Sequence, residues 1–277
     1  MGGNVAGNAL QMGETQVQRH TEAVAANLAS HASHAKADLD QHGLVSLRGI
    51  IAAEWLAAAR GEVDAYLARY GRREHNLTNA DSWECPTIEA LADHLRIETF
   101  LHSLTSLPES AEFGYAGYQQ RVLRILDGSN VETPPFDWHY DSNALTMLVP
   151  IVVPADGTGQ VAIFPDHRPH RRWAALSAAE RLLVHNQMHG RRMRQRYEDD
   201  PTAFTIPLVP GDAYLFRGYR ALHSVLPWSK DTLRVTLVLQ YGRPYGAEGP
   251  VIRAVRRWRD TKRKRRTTDL LAHNRAL

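Results

Sequence analysis

Hydrophobic patterning along the chain has two textures, which change over near residue 110. In the first, apolar residues recur at the three-to-four spacing of a helix. Residues 17–41 are alanine-rich with scattered polar positions and predict one or two helices. Residues 43–48 (GLVSLR) read as a short strand. Ile51, Trp55, Leu56, Ala59, Val63, Tyr66, Leu67 and Tyr70 then keep one apolar stripe, which Gly71 ends. A further helix is predicted from near Thr87, with Ile88, Leu91, Leu95 and Leu101 facing inward, stopping before Pro108.

From residue 115 onward the apolar runs shorten. Strands are predicted over 118–126, 144–153, 160–164, 204–208, 213–216 and 233–241, bounded by turn signals such as Asp127-Gly128, Asp156-Gly157 and Pro210-Gly211-Asp212. Strands at this density after a helical start predict an α+β protein whose second part is a sandwich or small barrel. Residues 177–197 interrupt them as a polar, helix-prone insert. Residues 1–16, rich in Gly, Asn and Gln and without a period, are expected to form a flexible N-terminus. With no internal repeat and no linker in view, one domain is expected over 17–249, its β core at about 115–242, followed by a basic tail over 250–277.

An apolar fraction of 43% and a charged fraction of 23% allow a packed core of ordinary kind. The single cysteine, Cys85, excludes an intrachain disulfide and a cysteine-built zinc site. No run of about 18 apolar residues exists, so no membrane span is expected. The first residues lack the basic start and apolar stretch of a secretory signal, and a cytoplasmic location is expected. The net charge of +3 hides an asymmetry: residues 250–277 hold ten Lys/Arg against two Asp/Glu, and the preceding 249 hold 23 basic against 28 acidic residues.

Candidate chemistry centres on Trp138-His139-Tyr140-Asp141, followed 82 residues after Asp141 by His223. Two imidazoles and one carboxylate on a single face hold Fe(II) while leaving three positions open opposite them. His-x-Asp supplies two ligands from one strand end, because residues two apart point to the same side. His223 follows the turn and apolar strand Gly211–Phe216, as a third ligand from a distant strand must. Eleven residues later Arg234 lies inside the apolar run 233–239, with Thr236 two residues on. A charge in so apolar a strand needs a partner. A dicarboxylate satisfies it through a charge-assisted contact, with the Thr236 hydroxyl reaching the same carboxylate.

His-x-Asp, a remote His after Gly-Asp and an apolar strand, and Arg-x-Thr about ten residues further together resemble the Fe(II)/2-oxoglutarate-dependent oxygenases, and within them the phytanoyl-CoA hydroxylase-like branch. The resemblance spans about 43–242 and includes GLVSLRG with its following helix and Gly159-Gln160-Val161-Ala162-Ile163-Phe164-Pro165-Asp166-His167-Arg168, in which Asp166 stands where serine is commoner. It implies a double-stranded β-helix, or jelly roll, flanked by N-terminal helices and carrying a helical insert. It further implies iron on His139, Asp141 and His223, with 2-oxoglutarate meeting Arg234 and Thr236, and Thr146 helping to hold it. The implied reaction consumes O2 and 2-oxoglutarate, releases succinate and CO2, and hydroxylates an unactivated C–H bond. Desaturation and ring formation use the same triad. Relatives that halogenate have Gly or Ala in place of the carboxylate, so Asp141 argues for hydroxylation.

The expected substrate is a small molecule, an amino acid or a natural-product intermediate, with Tyr140 and Asn143 as candidate contacts. Alternatives are a protein or nucleic acid substrate, supported by the basic tail alone, and a catalytically silent jelly-roll binding module. Residues 253–266 hold nine basic residues out of 14 with Trp258 the only ring, so a solvated helix is expected there and no nucleic acid partner. His185 and His189 stand one helical turn apart, but Asn186 occupies the place of the glutamate that a metalloprotease signature requires. The basic clusters 167–172 and 191–196 read as charged surface or as attraction for an acidic substrate. Trp55, Trp173 and Trp228 read as core or pocket wall.

Overall fold

The computed structural model describes residues 4–78, 83–105, 118–128, 138–169 and 187–242. Helices α1 (Asn4–Ser30) and α2 (Ala32–His42) lead into strand β1 (Leu44–Leu47), and α3 (Ala53–Tyr70) into β2 (His75–Thr78). Helices α4 (Pro86–Ala92) and α5 (Leu95–Leu104) follow. The remaining strands are β3 (Tyr118–Asp127), β4 (Leu145–Val152), β5 (Val161–Phe164), β6 (Phe204–Ile206), β7 (Ala213–Phe216), β8 (Leu222–Val225) and β9 (Leu233–Tyr241), with α6 (Gln187–Asp199) between β5 and β6.

Two antiparallel sheets result. The larger has the order β1-β7-β4-β9-β3-β2 and the smaller β6-β5-β8, to which His139 adds a single bridge opposite His223. From β4 to β9 the chain alternates between the sheets, apart from the β5–β6 pair, which both lie in the smaller one. Alternation of side chains gives each strand two faces. In β9, Val235, Leu237, Leu239 and Tyr241 enter the core formed with α1 to α5, while Val238 packs into the cluster between the sheets. That inter-sheet cluster joins Leu148, Tyr214 and Phe216 of the larger sheet to Val161, Ile163 and Ile206 of the smaller. The smaller sheet's outer face, with Trp138, Phe164 and Leu222, is covered by Met193 and Tyr197 of α6. This is a jelly roll with helices on both outer faces, as expected. Pro150 interrupts β4 without ending it: the β4–β9 register shifts between Pro150 and Val152, where the missing N–H cannot continue the ladder.

The predicted strands are present with ends shifted by a residue or two, and α3 carries its stripe inward, with Trp55, Ala59 and Val63 at 0% exposure. Three expectations need correction. Helix α1 begins at Asn4, inside the segment expected to be flexible. The helix predicted from Thr87 to beyond Leu101 is two helices, because the chain turns at Asp93-His94 and the His94 ring accepts the Arg96 N–H at the start of α5. That break resets the helical phase: Ile97, Phe100, Leu101 and Leu104 turn inward, and Leu95 is 73% exposed. Strands β2 and β8 were not expected, being four residues each with polar positions inside. The expected stop before Pro108, the first part of the insert, Trp173, His185 and the basic tail lie outside the described residues. Among the described residues no helix is long and apolar enough to cross a membrane.

The phase reset is testable by urea denaturation. Leu95→Ala is expected to change the unfolding free energy by less than about 0.5 kcal/mol, whereas Leu101→Ala removes a buried side chain and costs about 2–5 kcal/mol. Equal costs at the two positions contradict the break.

Candidate functional site

His139 and His223 are a hydrogen-bonded antiparallel pair: the His139 N–H donates to the His223 carbonyl at 2.9 Å and the His223 N–H to the His139 carbonyl at 3.0 Å. Directly opposite residues share a face, so both rings project between the sheets, 4.3 Å apart by centroid. Asp141, two residues after His139, returns to that face, where its N–H donates to the Gly218 carbonyl at 3.0 Å. One nitrogen from each ring and a carboxylate oxygen lie within 4.8 Å of one another. His139 Nε2 is 3.8 Å from Asp141 Oδ1 and His223 Nε2 is 3.7 Å from Oδ2. Of the described residues, only these form such a group of metal-ligating side chains.

The protonation state suits metal binding. His223 Nδ1 lies 3.1 Å from the Ala221 carbonyl, which places its proton on Nδ1 and leaves the Nε2 lone pair facing Asp141. Burial, reinforced by the neighbouring His139, pushes His223 down to about 4, so its imidazole is neutral near pH 7. Asp141 is held from both sides. Thr146 Oγ1 donates to Oδ2 at 2.5 Å, Gln240 Nε2 donates to Oδ1 at 3.1 Å, and Asn143 Nδ2 in turn donates to Thr146 Oγ1 at 2.7 Å.

The turn between β7 and β8 completes this bracket. A Cβ on Gly218 would lie 2.5 Å from Thr146 Oγ1, 2.8 Å from Asp141 Cβ and 2.9 Å from Asn143 Nδ2, so the turn approaches because position 218 has no side chain. Three arginines pin it. Arg217 Nη1 donates to the Leu39 carbonyl at the end of α2 and to Asp166, which also pairs with Arg220. Arg168 Nε donates to the Tyr219 carbonyl at 2.6 Å, while its guanidinium lies 4.0 Å from the Tyr140 ring centroid. Asp166 thus ties Arg217 to Arg220, a role the sequence did not disclose.

Deeper between the sheets the chemistry is cationic. Arg234 and Thr236 occupy the β9 face that looks away from the helices, and Arg124 of β3 stands opposite Thr236 in register. Arg234 is 2% exposed, yet its Nε and the Thr236 hydroxyl have no hydrogen-bond partner, nor does the Arg124 Nε. Burial, with the nearby charge of Arg124, pulls Arg234 down to about 9, which leaves it protonated at neutral pH. A protonated buried guanidinium without a counter-charge is costly, and a carboxylate ligand supplies what it lacks. The residues therefore fit both a divalent ion and a carboxylate-bearing partner.

His139, Asp141 and His223 come together on inward faces, and Arg234 and Thr236 share the inward face of β9. Three other expectations change. Thr146 stands opposite Gln240, six positions along β9 from Arg234, and bonds Asp141, so it orients the metal carboxylate and does not reach the Arg234 end. Tyr140 alternates to the outer face, where its hydroxyl meets His167 Nδ1 at 2.5 Å beneath Arg168. Asn143 is fully buried against Thr146 and the Leu145 carbonyl, so its amide donors serve the bracket. Arg124, Gly218 and Gln240 went unrecognised in the sequence, and Arg168 was read only as part of the 159–168 segment and the basic cluster 167–172. Arg124 carried the same signal as Arg234, an arginine within an apolar strand.

No protein-family model matches the chain, and no curated protein does. Solved structures do. The non-haem alpha-ketoglutarate-dependent carbocyclase SnoK from nogalamycin biosynthesis aligns over 76% of this chain and 83% of its own, with a TM-score of 0.54 and 14% identity. A prolyl 4-hydroxylase from Phytophthora capsici aligns over 80% and 65%, with a TM-score of 0.53 and 16% identity. The alpha-ketoglutarate-dependent epimerase SnoN from nogalamycin biosynthesis aligns over 76% and 82%, with a TM-score of 0.51 and 18% identity. Identities this low carry the fold: this chain has the jelly roll found in 2-oxoglutarate-dependent oxygenases.

Gly218→Ala drives a methyl group into three atoms of the metal bracket. Disturbing groups that orient a ligand typically costs 10–100-fold in metal affinity, so Zn(II) binding by calorimetry is expected to weaken by at least about ten-fold, with the far-UV circular dichroism unchanged. Unaltered affinity means that the turn does not hold the bracket.

Proposed function

We propose that the protein is an Fe(II)/2-oxoglutarate-dependent oxygenase of the phytanoyl-CoA hydroxylase-like branch that hydroxylates a small molecule. The observation that carries this reading is the pairing, on inward faces of one jelly roll, of a two-histidine, one-carboxylate cluster with a buried guanidinium that has no partner. A binding module that had lost its chemistry has no need of both. The neighbours named above are alpha-ketoglutarate-dependent enzymes or a prolyl hydroxylase, and another solved structure has SnoN with Fe3+, alpha ketoglutarate and a nogalamycin compound.

In this reading His139, Asp141 and His223 hold Fe(II), with His223 presenting Nε2 because Ala221 fixes its proton on Nδ1. Thr146 and Gln240 keep the Asp141 carboxylate in one orientation. Arg234 and Thr236 take the distal carboxylate of 2-oxoglutarate, which fixes its keto-acid end toward the metal. When bound, iron with 2-oxoglutarate and O2 supplies an oxidant able to convert R–H to R–OH, with succinate and CO2 as co-products. The hydrophobic cluster of Leu148, Val161, Ile163, Tyr214 and Phe216 between the sheets excludes water around these groups. The retained Asp141 supports hydroxylation over halogenation. Two enzymes from nogalamycin biosynthesis among the neighbours support a natural-product substrate, which a cytoplasmic enzyme would meet as a free intermediate.

The test incubates protein with Fe(II), 2-oxoglutarate and O2 against pools of amino acids and natural-product intermediates, scoring substrate-stimulated succinate and product mass. A product 16 mass units heavier than its substrate is expected, from insertion of one oxygen atom. His139→Ala and Asp141→Ala are expected to abolish succinate release, and Arg234→Leu to raise the 2-oxoglutarate requirement at least ten-fold, the loss of a charge-assisted contact. Undiminished turnover in either ligand variant rules out the metal assignment.

A further inference from the structure

Among the described residues, Arg124 is a guanidinium beside the Arg234–Thr236 pair to which the proposed function gives no work. Its Nε is buried and has no hydrogen-bond partner. The strand register places it across from Thr236, two residues nearer than Arg234 to the Gln240 end of β9, where Asp141 is held. Alternation sends its side chain to the same face as Thr236, because its neighbours Leu123 and Ile125 lie in the helix-side core. Its charge lies close enough to Arg234 to lower that guanidinium's affinity for its proton. A cation placed there with no carboxylate beside it destabilises the empty site, and a protein that keeps it gains only when an anion arrives.

A 2-oxo dicarboxylate lying between the metal ligands and Arg234 has one carboxylate for each end. Arg234 with Thr236 accounts for the distal group. Building on the 2-oxoglutarate reading, we propose that Arg124 binds the metal-facing carboxylate of the co-substrate, so that the pocket grips both ends of the dicarboxylate with separate guanidinium groups. The assignment makes Arg124 a binding residue for the 2-oxo acid head, which every 2-oxo acid shares, and Arg234 the residue that selects for the second carboxylate. Loss of either then has a different ligand signature.

The experiment uses full-length protein loaded with Zn(II), which supports no redox turnover, and measures dissociation constants by calorimetry. Two ligands are compared: 2-oxoglutarate, and 2-oxovalerate, which has the same five-carbon chain without the distal carboxylate. Arg124→Gln is expected to weaken both by a similar factor of about ten or more, the scale of one lost charge-assisted hydrogen bond. Arg234→Leu is expected to weaken 2-oxoglutarate strongly and 2-oxovalerate hardly at all. Arg124→Lys, which keeps the charge but not the planar fork, is expected to fall between wild type and Arg124→Gln, and circular dichroism checks that each variant is folded. The assignment is overturned if Arg124→Gln binds 2-oxoglutarate within two-fold of wild type, or if its deficit disappears with 2-oxovalerate, which would move Arg124 to the distal carboxylate. If wild type binds no 2-oxoglutarate, the functional reading fails and takes this assignment with it; if wild type binds it and Arg124→Gln does too, this assignment fails alone.

Discussion

Two backbone hydrogen bonds, exchanged between His139 and His223, set everything else at the site. They fix which face of each segment looks inward. A slip of one residue would turn both imidazoles outward and bring Trp138 or Leu222 between the sheets. The apolar cover formed by Trp138, Phe164, Leu222, Met193 and Tyr197 resists that slip, because those side chains would lose their burial. Helix α6 therefore serves the metal ligands from the outer face, which it makes apolar enough to hold the register that the inner face needs.

The inner face is finished unevenly. Around Asp141 the carboxylate accepts from Thr146 and Gln240, its N–H meets the Gly218 carbonyl and Asn143 holds Thr146, which leaves only the Asn143 Oδ1 without a partner. Around Arg234 the donors are not matched, and Arg124, Thr236 and the Trp228 indole each leave a buried donor without a partner. Burial of donors without acceptors costs about 1–3 kcal/mol apiece, so this end of the pocket is held open against its own stability. Rigid ligands at one end and unsatisfied donors at the other are what a site needs if it must place an ion first and a carboxylate second.

Much of this could be read from the residues alone. The triad and the Arg234–Thr236 pair followed from the two-residue period of a strand, and the α3 stripe from the helical period. What was hidden depended on pairing between distant segments. Thr146 follows Asp141 by five residues, but only the register with Gln240 shows that it serves that carboxylate and lies far from Arg234. Arg121 and Arg124 share one apolar run. Only the pairing of β3 with β9 shows that Arg124 stands on Thr236's face, and nothing local to the run tells the two arginines apart. Leu95 was misplaced because two residues, Asp93 and His94, break a helix whose apolar spacing looks continuous. Tyr140 was drawn to the substrate by its neighbours in sequence, and strand alternation sends it the other way.

The unpartnered guanidinium of Arg234 also bears on folding. Residues 124, 234 and 236 meet only through strand pairing, so a dicarboxylate of the proposed kind that spans them would bind the folded chain and have no counterpart site in the unfolded one. Such a ligand adds about 2.7 kcal/mol at a hundred times its dissociation constant, set against the roughly 5–15 kcal/mol that stabilises an ordinary domain. If the proposed dicarboxylate binds there, the share of chains that survive proteolysis rises and falls with its supply, whether or not a substrate is ever turned over.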